Sequence, residues 1–351
     1  MPSPEPVEVV VPLRWDGDQD DAYEAAVEEM GSYLAELAGL ADVTVVDGSR
    51  QPGFDRHAQA WSRFARHIRP DPHVLPPGTD GLNGKVLGAM TGVLRSRHEY
   101  VVLADDDVRY DDHTLRQVAR LLDRGDLVRP ANVFESWPWH ARWDGSRSLL
   151  NRAMAADWPG TFGVRRSTLL RTGGWDPDVM FENLELVRTV QAHGGLVVEA
   201  PSVLVPRTPP TAAHFRSQRV RQAYDDLAQP WRLAWALATV PATLMGLRLR
   251  PALVLLAAAA LVALAELGRR RAGARTHVPP SVPLFAPLWV LERGVCSWLA
   301  VWAWARGGVP YQGRRMRVAA HSRRSIRRRG GAAGYALGST SQASRTSLSV
   351  T

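Results

Sequence analysis

Short apolar runs and longer amphipathic stretches alternate along the first half of the chain. Residues 7–12, 43–46 and 100–104 are runs rich in Val and Tyr, and such runs predict buried strands. Between the first two, apolar residues such as Val27 and Leu34 recur at helical spacing up to Gly39, which predicts a helix. A strand, a helix and a strand within about forty residues form a βαβ unit, so the fold class is α/β with a mostly parallel sheet.

The pattern continues to residue 205 with further elements. Helices are predicted over 58–68, from Asn83-Gly84-Lys85 onward, after Asp111-Asp112, and over 181–193, and strands over 127–130, 160–164, 196–200 and 203–205. Residues 131–160 contain one phenylalanine and four tryptophans and are predicted to form a long loop. Its rings either stack on a sugar or acceptor, or pack irregularly beneath that loop.

Three consecutive aspartates, Asp105, Asp106 and Asp107, end the third apolar run. Ligands of open α/β sheets bind beyond the carboxyl ends of the strands, where these carboxylates would lie. Adjacent carboxylates raise each other's pKa unless a positive charge joins them, and Mg²⁺ or Mn²⁺ is the simplest such charge. In an extended chain Asp105 and Asp107 point to the same side. The alternative is an acidic turn before the next helix.

Two more residues are predicted to lie at the same edge. Asp47 ends the second strand, where its carboxylate accepts hydrogen bonds from a ribose or a base, or simply forms an Asp-Gly-Ser turn. Lys85 lies in the first turn of a helix, where the helix dipole disfavours a cation. An anion such as a diphosphate at this helix start would explain the lysine.

The apolar residues of the second half predict membrane association. Residues 231–247 and 251–267 are two apolar runs separated by a short basic turn, and each is just long enough to span a bilayer. No charged residue lies between 233 and 247 or between 252 and 265, which favours lipid. Buried helices or a re-entrant hairpin are the alternatives. A third run, 284–305, contains Glu292-Arg293 and four tryptophans, so we expect a partial span or a helix in the interface.

Composition adds a strong charge asymmetry. The hydrophobic fraction is 45%, the mean hydropathy is −0.19 and the net charge is +8. Residues 306–351 hold ten arginines and no acidic residue, and subtracting ten from +8 leaves −2 on the remainder. We expect residues 311–351 to be a disordered basic tail that binds anionic lipid. RNA is the alternative, but no nucleic-acid motif is present and no nucleic-acid partner is expected.

Compartment and orientation follow from cysteine and arginine usage. The single cysteine, Cys296, excludes an intramolecular disulfide and fits a reducing compartment. The first residues show no signal-peptide pattern, so we expect the α/β domain in the cytosol. Arg269, Arg270, Arg271 and Arg275 follow the second apolar run, and the positive-inside rule places them on the cytosolic side of the cytoplasmic membrane.

The order of these motifs resembles the family 2 glycosyltransferases, which have the nucleotide-sugar-binding GT-A fold. The shared pattern over residues 7–225 comprises Val-Val-Val-Pro, Val-Val-Asp-Gly-Ser, Asn-Gly-Lys, Asp-Asp-Asp-Val, Gly-Gly-Trp-Asp and an acidic helix start. The resemblance implies that Asp105 and Asp107 hold the donor diphosphate through the metal and that Asp47 contacts the base or ribose. The nucleotide-sugar contacts it implies are Pro12, Asp47, Lys85, Asp105 and Asp106.

Residues 226–310 would then be membrane helices, as in members that resemble ceramide glucosyltransferase and polysaccharide synthases. Those members carry Gln/Arg-x-x-Arg-Trp before the membrane, and here Gln218 and Arg221 are followed by Gln222 instead of Trp. The resemblance implies an inverting transfer to a hydroxyl of a lipid or glycan acceptor.

The catalytic base is the main departure from the family pattern. The usual Glu-Asp pair reads Glu182-Asn183, and an amide does not accept a proton at neutral pH. Glu182 is the preferred base and Glu185, three residues on, the second choice. The alternative function is an inactive sugar-nucleotide-binding or scaffold protein. A nucleotidyltransferase would need a Gly-rich phosphate loop after the first strand, which the sequence lacks.

Overall fold

A seven-stranded sheet forms the centre of the structure, a computed structural model that describes residues 6–17, 20–76, 78–311 and 313–333. Its strands are β1 (Val7–Leu13), β2 (Asp42–Asp47), β3 (Arg66–Ile68), β4 (Tyr100–Ala104), β5 (Leu127–Phe134), β6 (Thr161–Arg165) and β7 (Val197–Arg207). Their spatial order is β3-β2-β1-β4-β6-β5-β7, and within this sheet only β6 is antiparallel to its neighbours. The α/β class with a mostly parallel sheet is therefore confirmed.

Helices cover both faces of the sheet and continue beyond it. Those before residue 225 are α1 (Asp21–Ala38), α2 (Gly53–Trp61), α3 (Gly84–Arg95), α4 (Asp112–Leu122), α5 (Trp139–Met154), α6 (Arg166–Thr172), α7 (Glu182–Ala192) and α8 (Ala212–Tyr224). Those after it are α9 (Pro230–Leu249), α10 (Pro251–Arg270), α11 (Ala286–Ala305) and α12 (Arg323–Ala333), with a hairpin of β8 (Val309–Tyr311) and β9 (Arg314–Met316) before α12. Short 3₁₀ helices lie at Pro72–Val74, Asp225–Ala228, Arg271–Thr276 and Val282–Phe285.

Polar side chains fix where the helices around the site begin. Asn83 accepts a hydrogen bond from the Lys85 backbone N–H at 3.1 Å and so starts α3 immediately beside the sheet edge. Asp111 and Thr114 form a reciprocal capping box at the start of α4. These caps leave Asp105, Asp106 and Asp107 free of a capping role, so the alternative of a merely acidic helix start does not apply to them.

Two apolar layers hold the helices against the sheet. One contains α1, α2 and α4, with Val27, Leu34 and Leu122 fully buried. The other contains α3, α6 and α7, with Val86 and Leu169 fully buried. The order of β1 between β2 and β4 creates a switch point at the carboxyl ends of β1 and β4, which is where ligands bind in such sheets.

Three sequence predictions differ from the observed elements. The helix predicted over 58–68 ends at Trp61, because residues 66–68 pair with β2 as strand β3 instead. The region predicted to be a long aromatic loop contains helix α5, whose buried residues include Leu149 and Leu150. The two strands predicted at 196–205 form the single strand β7, whose pairing with β5 shifts register between Pro130 and Ala131.

The apolar C-terminal helices pack on the α/β unit and also expose apolar side chains. By length and hydropathy, Pro251–Thr276 and Val282–Ala305 could cross a membrane, which is weak evidence by itself, and α9 is not one of these two segments. α9 and α10 form the predicted hairpin, joined at Arg250. The base of α10 packs on α5, where the backbone of Gly268 lies directly against the Leu149 carbonyl.

Helix α11 lies alongside the α/β unit over its whole length. Trp289 near its start packs with Leu149, and Ala300 near its end packs with Tyr224. The opposite face exposes apolar side chains at intervals of three or four residues: Leu288, Leu291, Val295, Trp298, Leu299 and Trp302. Helix α11 therefore has one face packed on the α/β unit and one exposed apolar face.

The basic segment after residue 310 is ordered where the structure describes it, so the prediction of a disordered tail is corrected for residues 313–333. Backbone N–H groups of Met180 and Phe181 donate to the carbonyls of Val318 and Ala319 at 2.9 and 2.8 Å. Ile326 of α12 is buried. Apolar contacts and backbone pairing therefore fix this segment despite its polar composition, and residues 334–351 lie outside the described residues.

The close approach of α3 to β1 generates a stability prediction. A Cβ on Gly92 would overlap the side chain of Val10, so Gly92→Ala should lower the free energy of unfolding by about 1–3 kcal/mol. Gly31 in α1 is the matched control, because a Cβ there meets Trp61 at an ordinary 3.5 Å. Gly31→Ala should be neutral or stabilising by up to about 1 kcal/mol, since Ala favours helices. Urea denaturation of both variants measures the difference, and equal effects would contradict the packing.

Candidate active site at the carboxyl edge of the sheet

The aspartate triplet lies in a tight turn directly after β4. The Asp105 backbone N–H donates to the Gly160 carbonyl at 2.9 Å, and the Asp105 carbonyl accepts from Val108 at 3.1 Å. The extended geometry considered for Asp105 and Asp107 is therefore not kept. Arg207, at the end of β7, still joins them, because its Nε is 2.7 Å from Asp107 Oδ2 and its Nη2 is 3.8 Å from Asp105 Oδ2.

Lys85 connects the triplet to the start of α7. Its Nζ is 2.6 Å from Asp105 Oδ1 and 3.0 Å from Glu182 Oε1. Burial alone would lower the pKa of Lys85, but the two carboxylates outweigh burial and raise it, so the ammonium stays charged. These carboxylates account for a lysine in the first turn of α3.

Asp106 points to a different neighbour. Its carboxylate accepts a hydrogen bond from the indole N–H of Trp15, in the loop after β1. Burial raises the pKa of Asp106, the Trp15 hydrogen bond opposes that rise, and the charges of Asp107 and Asp105 add to it. Asp106 thus ties the β1 loop to the β4 turn.

A polar cavity of about 920 Å³, including the part open to solvent, lies beside these residues. Its walls come from α3, the turn after β4, α5, the start of α7, the end of β7, α8 and the 3₁₀ helix that follows it, the start of α9 and the middle of α11. The charged and amide side chains among its lining residues are Lys85, Asp105, Arg147, Asn151, Glu182, Asn183, Arg207, Gln218, Arg221, Gln222, Asp225, Asp226, Gln229, Arg232 and Arg293. The structure therefore brings together Lys85, Asp105, Glu182, Gln218 and Arg221, which the sequence predicted separately.

Three of the predicted aromatic residues lie in two different environments. Trp158 lines the cavity, in edge contact with Phe181 and beneath the guanidinium of Arg129. Trp143 donates to Glu292 of α11 at 2.6 Å, and Trp137 donates to the His277 carbonyl at 3.1 Å. Trp143 and Trp137 thus join the α/β unit to the C-terminal helices.

Asp47 is fully buried, away from that cavity. Its Oδ2 is 2.7 Å from His57 Nδ1 and 3.0 Å from His67 Nε2, and its Oδ1 accepts from the Ser49 backbone at 2.8 Å. Burial opposes ionisation, but the bonds from His57, His67 and Ser49 hold the pKa of Asp47 far below its usual range. The other nitrogen of His57 is 2.7 Å from the Tyr23 hydroxyl, so a closed hydrogen-bond network surrounds this carboxylate.

Two other predicted residues also lie outside the cavity lining. Pro12 is buried in β1, where it pairs with Val46 and packs beneath α3 at Gly88. Glu185 is 1% exposed, and its Oε2 accepts from the His321 backbone at 2.6 Å while its Oε1 is 3.0 Å from His321 Nδ1. Glu185 therefore holds the C-terminal segment on α7, and its side chain does not reach the cavity.

The residues that could hold a divalent cation are Asp105 and Asp107. Asp107 Oδ1 is buried and has no hydrogen-bond partner among the described residues, as a metal-ligating oxygen would in the absence of metal. Two clusters of three potential ligands lie elsewhere: Asp47, His57 and His67, and Asp176, Glu185 and His321. The first already uses both nitrogens of His57 in hydrogen bonds, and Arg329 lies 2.9 Å from Asp176 in the second.

Sequence reasoning missed Arg207 and Asp225. Arg207 is the polar end of the apolar run 203–206, so its position at a strand end was the available signal. Asp225 follows Arg221 by one helical turn and Gln218 by two, and it caps the C-terminus of the same helix, α8. Arg207 reaches the cavity because the end of β7 pairs with Val108 in the turn after β4, and Asp225 reaches it through the packing of α8; local sequence indicates neither.

No family model and no curated protein matches this sequence. Among solved structures, the chain is similar to a mannosyltransferase from Pyrobaculum calidifontis in complex with GDP-Man and Mn²⁺ (18% identity, 88% of this chain and 77% of that chain, TM-score 0.44). It is also similar to glucosyl-3-phosphoglycerate synthase from Mycobacterium tuberculosis (14% identity, 62% of this chain and 78% of that chain, TM-score 0.39). A third similar structure is TarS from S. aureus (14% identity, 60% of this chain and 61% of that chain, TM-score 0.39). These likenesses are too distant to assign an activity.

The Asp47 network generates a prediction about stability and pH. Asp47→Ala leaves buried donors of His57, His67 and Ser49 unpaired and should lower the free energy of unfolding by about 2–3 kcal/mol at pH 7. Because the pKa of Asp47 is depressed in the folded state, its contribution is present above its usual value of 3.8 and is lost as pH falls below it. The difference between wild type and variant should therefore shrink from pH 5 to pH 3.

Asp42, at the exposed start of the same strand, supplies the control. Its carboxylate is 2.8 Å from His98 Nε2 in an exposed pair, so Asp42→Ala should cost less than about 1 kcal/mol. Urea denaturation at several pH values measures both variants. A pH-independent effect of Asp47→Ala would contradict the depressed pKa.

Proposed function

We propose that this protein is a metal-dependent GT-A glycosyltransferase, which moves a sugar from a nucleotide-diphosphate donor to a hydroxyl acceptor with inversion. The observation that carries the proposal is the single cavity in which Lys85, Asp105 and Arg207 face Glu182, Gln218 and Arg221. A cavity lined by both fixed cations and carboxylates suits an anionic leaving group and a hydroxyl nucleophile.

The donor wall provides fixed positive charge. Lys85 and Arg207 already balance the carboxylates of Asp105 and Asp107, and both cations border the cavity. Mg²⁺ or Mn²⁺ held by Asp105 and Asp107 would supply further charge against the donor diphosphate. Lys85 and Arg207 would then stabilise the negative charge that develops on the departing nucleoside diphosphate.

The acceptor wall must orient a hydroxyl and accept its proton. Glu182 lines the cavity, whereas Glu185 is turned toward His321. Gln218 and Arg221 extend the same wall from α8, so they are placed to orient the acceptor. The Arg221 Nε and the Gln222 Oε1 are buried without hydrogen-bond partners among the described residues, which leaves them available to a bound group.

A second candidate function is sugar-nucleotide binding without transfer. It is favoured by Asn183, whose amide donates to the Pro159 carbonyl at 3.1 Å and cannot serve as a base. Transfer of a labelled sugar to any acceptor would exclude this second function, whereas metal-dependent donor binding without product would support it.

The test of the proposed function begins with a panel of nucleotide sugars. We expect the thermal midpoint to rise with one donor only when Mn²⁺ or Mg²⁺ is present, and product to form with that donor. Asp105→Asn should abolish the metal-dependent shift and lower transfer at least about 100-fold, because it removes a ligand and a partner of Lys85.

The matched control for this test is Asp112→Asn. Asp112 is an exposed aspartate in α4 that pairs with Arg116 of the same helix, outside the cavity. This control should keep wild-type binding and transfer. Full transfer by Asp105→Asn would contradict the proposal. Donor binding by the wild type that is independent of the metal would also contradict it.

We also propose that the site operates at a membrane surface. The cavity wall includes Arg232 near the start of α9 and Arg293 in α11, so the polar site adjoins the apolar helices. Trp231, Trp235, Leu255 and Leu256 are between 66% and 82% exposed, more than a water-facing surface normally shows. The acceptor is therefore a lipid, or a glycan carried by one.

The basic residues support the orientation expected from the sequence. Arg271, after α10, donates to the Ala153 carbonyl at 2.7 Å and so lies on the side of the α/β unit. The exposed arginines of α12 are Arg323, Arg324, Arg327, Arg328 and Arg329. These arginines would face anionic headgroups on the cytosolic leaflet, with about 1 kcal/mol from each near the surface.

Vesicle flotation tests the membrane assignment. The double change Leu255→Glu and Leu256→Glu should release the protein from vesicles, because charged side chains are costly in the hydrocarbon region. Leu40→Glu, at a 45% exposed leucine beside α1, is the control and should leave flotation unchanged. Flotation of the double variant equal to wild type would contradict insertion of the hairpin.

A further inference from the structure

The carboxylate of Asp225 differs from the other carboxylates of the cavity because it has no hydrogen-bond or ion-pair partner among the residues that the structure describes. It lies at the C-terminal end of α8 and lines the cavity together with Lys85, Asp105 and Glu182. Its neighbour Asp226 is 2.8 Å from Arg293 and 3.5 Å from Arg232. The Asp225 backbone N–H donates to the Ala223 carbonyl, but its carboxylate has no hydrogen bond or salt bridge within the described ranges.

The remaining carboxylates near the cavity have partners already. Glu182 accepts from the Lys85 ammonium, so a proton arriving on that oxygen would have to displace a cation. Asp105 and Asp107 are occupied by Lys85 and Arg207. Asp144 and Asp157 are paired with Arg219 and Arg147, respectively.

The charges around Asp225 are mixed, and the dominant effect on it is burial. Arg293 of α11 and Arg221 of α8 face it as cations, and Glu182 of α7 and Asp226 face it as anions. Burial raises the pKa of Asp225 well above its usual value, Arg293 opposes this, and Glu182 and Asp226 add to it. A carboxylate with a raised pKa holds a proton better than an ordinary aspartate does, as a general base must.

We propose that Asp225 is the general base that takes the proton of the acceptor hydroxyl, an assignment that rests on the proposed function. As the acceptor oxygen bonds to the anomeric carbon, the bond from that carbon to the diphosphate oxygen breaks. The electron pair of that bond leaves with the nucleoside diphosphate, and the hydroxyl proton moves to the Asp225 carboxylate. Glu182 then acts as a positioning residue, because it holds Lys85 against Asp105.

Asp225→Asn and Glu182→Gln separate these two roles. Both are measured in the full chain, with the donor and acceptor that the wild type turns over, between pH 5 and 9. Asp225→Asn should lower kcat about 100-fold or more, with the metal-dependent Kd for donor unchanged. In the wild type, protonation of the base should decrease kcat at acidic pH. The residual kcat of Asp225→Asn should not show this decrease.

Glu182→Gln should instead raise the Kd for donor and keep the acidic fall of kcat, because it releases Lys85 and leaves the base in place. Asp225→Ala, assayed with and without added formate, gives a second readout. Formate should restore part of its kcat, because a small carboxylate can occupy the vacated space. The thermal midpoint of each variant, compared with wild type, shows that it is folded.

The outcomes distinguish this assignment from the proposed function. The assignment of Asp225 as the base is overturned if Asp225→Asn keeps the wild-type kcat. It is also overturned if the decrease of kcat at acidic pH disappears in Glu182→Gln but not in Asp225→Asn. In both cases the proposed transfer activity still stands. Absence of both donor binding and transfer in the wild type overturns the proposed function and the assignment together.

Discussion

The arrangement of most site residues depends on charge balance at the carboxyl end of the buried strand β4. Three consecutive carboxylates follow β4, and such a group is stable only with positive charge nearby. The protein supplies it from two distant parts of the chain, Lys85 in α3 and Arg207 in β7. Because Lys85 also binds Glu182, the same ammonium fixes the start of α7 relative to the sheet. Ion pairs at the carboxyl edge of the sheet thus fix the relative positions of elements that line the cavity.

The C-terminal helices contribute side chains to the ion pairs around the cavity. Glu292 in the middle of α11 accepts from Arg219 at 2.6 Å and from Trp143 at 2.6 Å, and Arg293 binds Asp226. The charged pair that interrupts the apolar run therefore faces the α/β unit, while the apolar side chains of α11 face outward. This division explains how one helix can both line a polar cavity and carry an exposed apolar face.

Much of the fold and part of the site were predictable from sequence. Periodicity and caps identified β1, α1, β2, α3, β4 and α7, because these elements bury one regular face or carry a capping residue. Residues 66–68 were misassigned to a helix since their strand conformation depends on pairing with β2. The contacts of Lys85 with Asp105 and Glu182 join residues up to 97 positions apart, and no local pattern encodes them. Asp47 was predicted at the sheet edge, but its enclosure by His57 and His67 depends on how α2 and β3 pack.

The docking of the C-terminal segment on α7 has a consequence for how the protein acquires its structure during synthesis. His321 and residues 318–319 pair with residues 180–185, which form one wall of the cavity. A nascent chain whose exposed part stops before residue 318 lacks the partners of Met180, Phe181 and Glu185. Folding on the ribosome can therefore establish the central sheet early, but the wall containing Glu182 is completed only when almost the entire described chain has emerged.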